Sequence, residues 1–152
     1  MRTVLFLCTG NAARSQMAEG WVNARLGGEP LWGASRWRAG SAGVDPKGLD
    51  PKAVQAMAEI GIDISGQHSK HVNEFVGQNF DLVVTLCDDA AARCPVWPGA
   101  GHKLHLPFDD PGRVRAEGGG EAEVLAVMRR VRDEMLQQLP EALRQSERTV
   151  TP

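Results

Sequence analysis

Cys8, Cys87 and Cys94 are the three cysteines of the chain, and their placement suits a thiol relay. Cys8 ends an apolar run, and Cys87 and Cys94 lie seven residues apart. Reducing a substrate by two electrons leaves one disulfide, and a third thiol allows that disulfide to be handed outward. The first cysteine opens Cys8-Thr9-Gly10-Asn11-Ala12-Ala13-Arg14-Ser15, which reads as an oxyanion cradle with a nucleophile at its base.

A cysteine between a strand and a helix N-terminus meets several backbone N–H donors and the positive helix end, which favours the thiolate. The N–H groups of Thr9, Gly10, Asn11, Ala12 and Ala13 can circle a tetrahedral oxyanion, and Gly10 lets the backbone approach closely. Arg14 offers a planar fork to two anion oxygens. Ser15 can hydrogen-bond the thiolate and cap the following helix. The Cys-x5-Arg spacing alone decides little, because 13 residues of the chain are Arg. The context carries the reading: a strand before, a glycine within, Ser directly after the Arg and an amphipathic helix behind.

The elements that must position these groups alternate between strand-like and helix-like segments, the pattern of parallel strands joined by crossover helices. Thr3 to Leu7 reads as a short buried strand, followed by a helix from Ser15 to about Leu26 that Gly27-Gly28 ends. A second, poorly defined strand falls near Trp37 to Ala42. Asp50-Pro51 starts a helix that Gly61 stops, with Val54, Met57 and Ile60 facing inward. Asp81 to Leu86 is the clearest strand. Asp88 can cap a short helix through Ala92, and Lys103 to Leu106 is a fourth strand. Val124, Val127, Met128, Val131, Met135 and Leu139 recur at helical steps, a stripe that packs on the sheet. The polar tail after Pro140 reads as a frayed end. Right-handed crossovers give a flavodoxin-like, doubly wound, four-stranded parallel α/β sheet with ligands at the carboxyl ends of the strands. Cys8, Cys87 and Asp109-Asp110 each follow a strand and so fall on that edge.

Length and composition set the bounds. A chain of 152 residues with 42% hydrophobic content buries the core of one domain, spanning residues 1–152. A net charge of -2 with mixed signs offers no basic face for nucleic acid. The opening apolar run, Val4 to Leu7, is too short for a signal peptide core or a membrane span. A cytoplasmic location follows, and in that reducing compartment the thiols are not structural bridges. The four histidines, His68, His71, His102 and His105, have no Cys-x2-Cys pair beside them and read as surface or loop residues rather than metal ligands.

Cys8-Thr9-Gly10-Asn11 followed by Arg14-Ser15-Gln16-Met17-Ala18-Glu19-Gly20-Trp21 resembles the thioredoxin-coupled arsenate reductases, which share the low-molecular-weight protein tyrosine phosphatase fold. The resemblance continues through Ser41-Ala42-Gly43, Ile62-Asp63-Ile64-Ser65, Val83-Val84-Thr85-Leu86-Cys87, Cys94-Pro95 and Phe108-Asp109-Asp110-Pro111. The family often has Ser and Cys where this chain has Ala12 and Ala13, a departure that bears on substrate preference more than on activity.

The resemblance implies that Cys8 attacks arsenate, Arg14 holds the oxyanion, and Asp110, which directly precedes the proline, protonates the departing oxygen. It further implies that Cys87 attacks the Cys8 adduct, releasing arsenite, and that Cys94 then takes the disulfide to Cys87–Cys94 for thioredoxin to reduce. Phosphate is the expected competitor. No cofactor is required, although some members hold a potassium ion, and Asn11, Glu19, Ser41 and Asp63 look like the corresponding oxygen donors. Two rivals stand beside this reading. A phosphatase would use Cys8, Arg14 and Asp110 through a phosphocysteine, yet it has no need of Cys87 and Cys94, and Gln16 stands where phosphatases usually have proline. A thiol-based oxyanion sensor would have no use for Asp110.

The relay carries a geometric demand. In a continuous helix, residues 87 and 94 would lie about 10.5 Å apart, whereas a disulfide needs a Cα separation of roughly 4.4–6.8 Å. Asp88 to Arg93 is therefore expected to be a short, marginal element that unwinds on oxidation.

Overall fold

The structure is a computed structural model and describes residues 1–28, 36–93 and 100–150. The strands β1 (Arg2–Cys8), β2 (Trp37–Gly43), β3 (Phe80–Thr85) and β4 (Ala100–His105) form one sheet in the order β2-β1-β3-β4. All three pairings are parallel, with Leu5 opposite Gly40 on one side and Val83 on the other. Val4 to Cys8 are buried without interruption, because a parallel sheet covered on both faces has no wet side to favour alternation.

The helices are α1 (Arg14–Arg25), α2 (Pro51–Ala58), α3 (Asp88–Arg93), α4 (Arg113–Ala116) and α5 (Glu121–Val150), with a 3-10 turn at Val72–Phe75. Met17, Ala18 and Val22 of α1 join Ala53, Ala56 and Met57 of α2 and the stripe Val124, Met128, Val131, Met135 and Leu139 of α5 in one core. Val54, Val127 and Ile60 pack partly buried against it. The flavodoxin-like expectation holds, and the order puts the switch point between β1 and β3. There the chain leaves β1 at Cys8 and β3 just before Leu86-Cys87, so both thiols stand where such sheets bind ligands.

Two elements were not foreseen. α4 and the 3-10 turn are too short to carry a periodic signal, and His71 caps the turn by accepting from the Asn73 N–H at 3.0 Å through Nδ1. The tail after Pro140 is corrected: α5 continues through the proline to Val150. Proline removes one backbone bond and costs about 3 kcal/mol. Against that, Leu143 and Ser146 are buried and the Trp37 indole donates to Glu147 Oε1 at 2.9 Å. One buried leucine contributes roughly 2 kcal/mol, so packing plus that bond outweighs the break.

Candidate active site

The loop from Cys8 to Arg14 keeps its shape because its carbonyls are all engaged by donors outside the loop's concave side. Val44 N–H donates to Cys8 O, Asp45 N–H to Thr9 O at 2.8 Å, Lys47 N–H to Gly10 O at 2.9 Å and Asp50 N–H to Ala12 O at 2.9 Å. The Gln16 amide and the Ser69 hydroxyl both reach Asn11 O at 3.0 Å, and Met17 N–H takes Ala13 O. With the carbonyls drawn outward, the loop N–H groups are left to face the thiol. Asn11 is the pivot: it is buried, stands at φ 46° and is the one described non-glycine residue with positive φ. Its Nδ2 donates to Ser15 Oγ at 2.7 Å and to Ser41 Oγ at 2.9 Å, and its Oδ1 accepts from the Lys70 N–H at 2.8 Å.

The glycine that this loop requires is Gly43 rather than Gly10. A Cβ on Gly43 would sit 2.6 Å from Thr9 O and 2.8 Å from Asn11 N, both backbone atoms, whereas one on Gly10 would meet only the Lys47 side chain at 3.4 Å. Ser15 also departs from expectation. It does not cap α1, whose N-cap is Ala13 with no side-chain bond. Its hydroxyl is committed to Cys8 Sγ at 2.9 Å, with Asn11 donating to the same oxygen.

Arg14 is 6% exposed, and its Nη1 donates to Phe108 O at 3.2 Å, which fixes the guanidinium over the loop. Its Nη2 stands 3.8 Å from Asp110 Oδ2. Asp110 itself is half exposed and accepts from Gly112 N–H. Asp109 is ion-paired to Arg130 at 2.7 Å, and that hydrogen bond holds its carboxyl below the usual carboxylate range. The segment bearing Asp110 is fastened by Arg115, which sequence reading missed. Arg115 donates to both oxygens of Asp50, at 2.6 and 3.0 Å, and to both of Glu121. Burial pushes the Asp50 carboxyl up, but the bonds from Arg115 and the Lys52 N–H outweigh it and leave it lowered. Because Asp50 also caps α2 and bonds Ala12 O through its own N–H, one residue joins the loop, α2 and α4.

Cys87 stands beside this loop. Its Sγ is 3.2 Å from Thr9 Oγ1 and accepts from the Ala90 N–H at 3.3 Å, the position that Asp88 was expected to fill as a cap. Asp88 instead lies inside the first turn of α3 and bonds His105 Nε2 at 2.8 Å. Cys8, Arg14, Cys87 and Asp110 thus surround one rim of the sheet. Cys94 lies outside the described residues.

The oxygen donors expected for potassium have protein partners of their own in this structure. Ser41 donates to Glu19 Oε1 at 2.6 Å, the Lys70 ammonium stands 3.7 Å from the same oxygen, and Asn11 Oδ1 is occupied by N–H donors. Lys70 already supplies the positive charge there. Asp63 is exposed and turns to the Ser65 N–H. Among the described residues no group of three His, Cys, Asp or Glu could hold a metal ion.

What these atoms can do together is bind a tetrahedral oxyanion against a buried thiol, with a carboxyl at the rim and a second thiol alongside. The model of the low molecular weight phosphotyrosine protein phosphatase family matches residues 3–148. The chain belongs to that family. Within it, the chain is 48% identical over 140 residues to an arsenate reductase of Bacillus subtilis (strain 168), covering 92% of this chain and 94% of that one. It is 50% identical over 134 residues to an arsenate reductase of Halalkalibacterium halodurans, covering 88% and 89%. A solved arsenate reductase in its oxidized state superposes with a TM-score of 0.72 at 29% identity, covering 96% of this chain and 99% of that one. Family membership accounts for the loop; the thiol at 87 is the feature that the loop chemistry alone does not need.

Proposed function

We propose that this chain is an arsenate reductase that uses Cys8, Cys87 and Cys94 in turn and is returned to its reduced form by thioredoxin. The observation that carries the reading is the second thiol at the rim of the oxyanion loop, with Cys87 Sγ 3.2 Å from the hydroxyl of the residue that follows Cys8. Relatives bearing the name arsenate reductase, aligned over nine tenths of the chain, support it.

In this mechanism Cys8 Sγ attacks the arsenic of arsenate, whose oxygens lie against the loop N–H groups and Arg14. Asp110 protonates the departing oxygen, which leaves as water. Asp109 is unsuited to that task because Arg130 holds it ionised. Cys87 then attacks Cys8 Sγ, the S–As bonding pair stays with arsenic, and arsenite departs as As(III). One disulfide, Cys8–Cys87, holds the two electrons' worth of oxidation. Cys94 attacks Cys87, freeing Cys8 and leaving Cys87–Cys94 for thioredoxin. Unwinding of α3 brings the last pair within bonding distance. Phosphate, of the same shape and charge, competes at the loop. No cofactor is required, and the thiols require a reducing compartment, the cytoplasm.

The family name favours a second reading, hydrolysis of phosphate esters through a phosphocysteine at Cys8. The cleft above Cys8 weighs against aryl phosphates as its main substrates. Lys47, Leu49, Pro51, Arg113 and Arg115 line its mouth, and no aromatic side chain does so among the described residues. Arsenate-dependent NADPH oxidation with thioredoxin and its reductase tests the proposal. Cys87→Ser and Cys94→Ser should abolish it while phosphate-ester hydrolysis survives; hydrolysis without any arsenate-dependent oxidation in the wild type would make the chain a phosphatase.

A further inference from the structure

The hydrogen bonds around Cys87 leave one hydrogen to be shared between two acceptors. Thr9 Oγ1 lies 3.0 Å from Asp89 Oδ2 and 3.2 Å from Cys87 Sγ. A carboxylate cannot donate, so the threonine hydrogen goes to Asp89. With that hydrogen on Asp89, Thr9 Oγ1 meets Cys87 Sγ as an acceptor, a role that suits an S–H group. The Ala90 N–H, at 3.3 Å, completes the surroundings of that sulfur. Asp89 is held in place from its other side, since Arg93 Nη1 donates to the same Oδ2 at 3.1 Å while Arg93 Nη2 donates to Val44 O at 3.3 Å.

We propose that Asp89 is a positioning residue that keeps Cys87 as a thiol at rest by holding the single hydrogen of the Thr9 hydroxyl. Once that hydrogen turns from Asp89 to the sulfur, Thr9 becomes a donor to a thiolate, and Cys87 becomes the stronger nucleophile. The arrangement guards the second thiol in a protein whose first thiol must be reactive. It also couples the guard to the helix: Asp89 sits on α3, so unwinding α3 withdraws the carboxylate from Thr9. The reading rests on Cys87 acting as a thiol nucleophile, but the hydrogen-bond logic needs neither arsenate nor thioredoxin.

Other charges face Cys87 and must be separated from this effect. Asp88, Asp109, Asp110, Arg113 and Glu134 line the same open groove. Asp88 meets His105, and Asp109 and Glu134 both meet Arg130. A general loss of negative charge would favour the thiolate whichever acid were removed; the proposal requires that the gain from Asp89 run through Thr9.

The test is the initial rate of iodoacetamide alkylation at Cys87 in the full reduced chain at pH 7, read by site-resolved peptide mass spectrometry. Asp89→Ala should raise that rate about tenfold, the factor expected when a thiolate gains one charge-assisted hydrogen bond. Asp88→Ala should change it less than twofold. In the Thr9→Val background Asp89→Ala should give no gain beyond that of Asp88→Ala. An unchanged rate in Asp89→Ala overturns the proposal. So does a gain that persists with Thr9→Val, because it would reflect charge or local opening of α3 rather than the shared hydrogen.

Discussion

The two thiols of the rim sit in contrasting surroundings. Around Cys8 the chain has no freedom: each carbonyl from Cys8 to Ala13 is taken, Asn11 is held by five partners, and Gly43 presses on the loop backbone. Around Cys87 the chain is short and open. α3 has six residues, of which Ala90 alone is buried, and two side-chain bonds anchor it, Thr9 donating to Asp89 and Arg93 donating to Val44 O. The first region is built to keep one geometry for an oxyanion, and the second is cheap to unwind, as the proposed disulfide across residues 87 and 94 would require. A nucleophile that must meet a substrate needs preorganisation; a thiol that must pass a disulfide onward needs a segment that gives way.

The largest effect should come from breaking the rigid side at its centre. Cys8→Ser should lower both arsenate-dependent oxidation and phosphate-ester hydrolysis on the order of a thousandfold or more. Steady-state kinetics on the two reactions would contradict the comparison if one of them survived.

Gly43→Ala probes the same side without touching its chemistry. Its Cβ would need to occupy space held by Thr9 O and Asn11 N, so the backbone must shift, at about 2–4 kcal/mol of stability. Urea denaturation measures that loss, and phosphate affinity by calorimetry should fall with it. An unperturbed affinity would show that the loop is less tightly set than its bonds imply.

Arg115→Met should have an intermediate effect. It leaves the Asp50 carboxylate, 6% exposed, without its cation, at a cost of about 1–3 kcal/mol at pH 7. Because the folded-state value of Asp50 is depressed, its stabilisation is present above the ordinary carboxylate value near ~4 and is lost as pH falls through the folded value. Denaturation across pH 2 to 7 should therefore show a shallower acid limb in Arg115→Met. The activity readout should show in both kcat and KM, since the side chain fastens the Asp110 segment and, through Asp50, the anion loop.

The smallest effect belongs to the yielding side. Arg93→Ala removes an exposed pair with Asp89 and one bond to Val44 O, worth about 0.5 kcal/mol or less. Amide exchange across α3 should quicken while the global denaturation midpoint stays where it was.

Much of this contrast was legible in the chain. Cys8, Gly10, Arg14 and Ser15 marked an anion loop because strand, loop and helix followed one another with the right residue types, and the alternation of strands with crossover helices placed Cys87 and Asp110 at the same edge. What stayed hidden were bonds between residues far apart in the chain. Nothing in the spacing of Asp50 and Arg115, 65 positions apart, or of Thr9 and Asp89, 80 apart, marks them as partners. The ion pair of Glu19 with Lys70, 51 positions apart, was hidden in the same way. The course of α5 through Pro140 was misjudged because proline is a local signal and the burial of Leu143 is a tertiary one.

Amide hydrogen exchange on the reduced protein and on protein oxidised by arsenate tests the contrast most directly. The amides of residues 88 to 93 should lose protection on oxidation, while those of residues 9 to 15 keep theirs. Unchanged protection across 88 to 93, or an equal loss in both segments, would contradict a fixed anion loop served by a helix that yields.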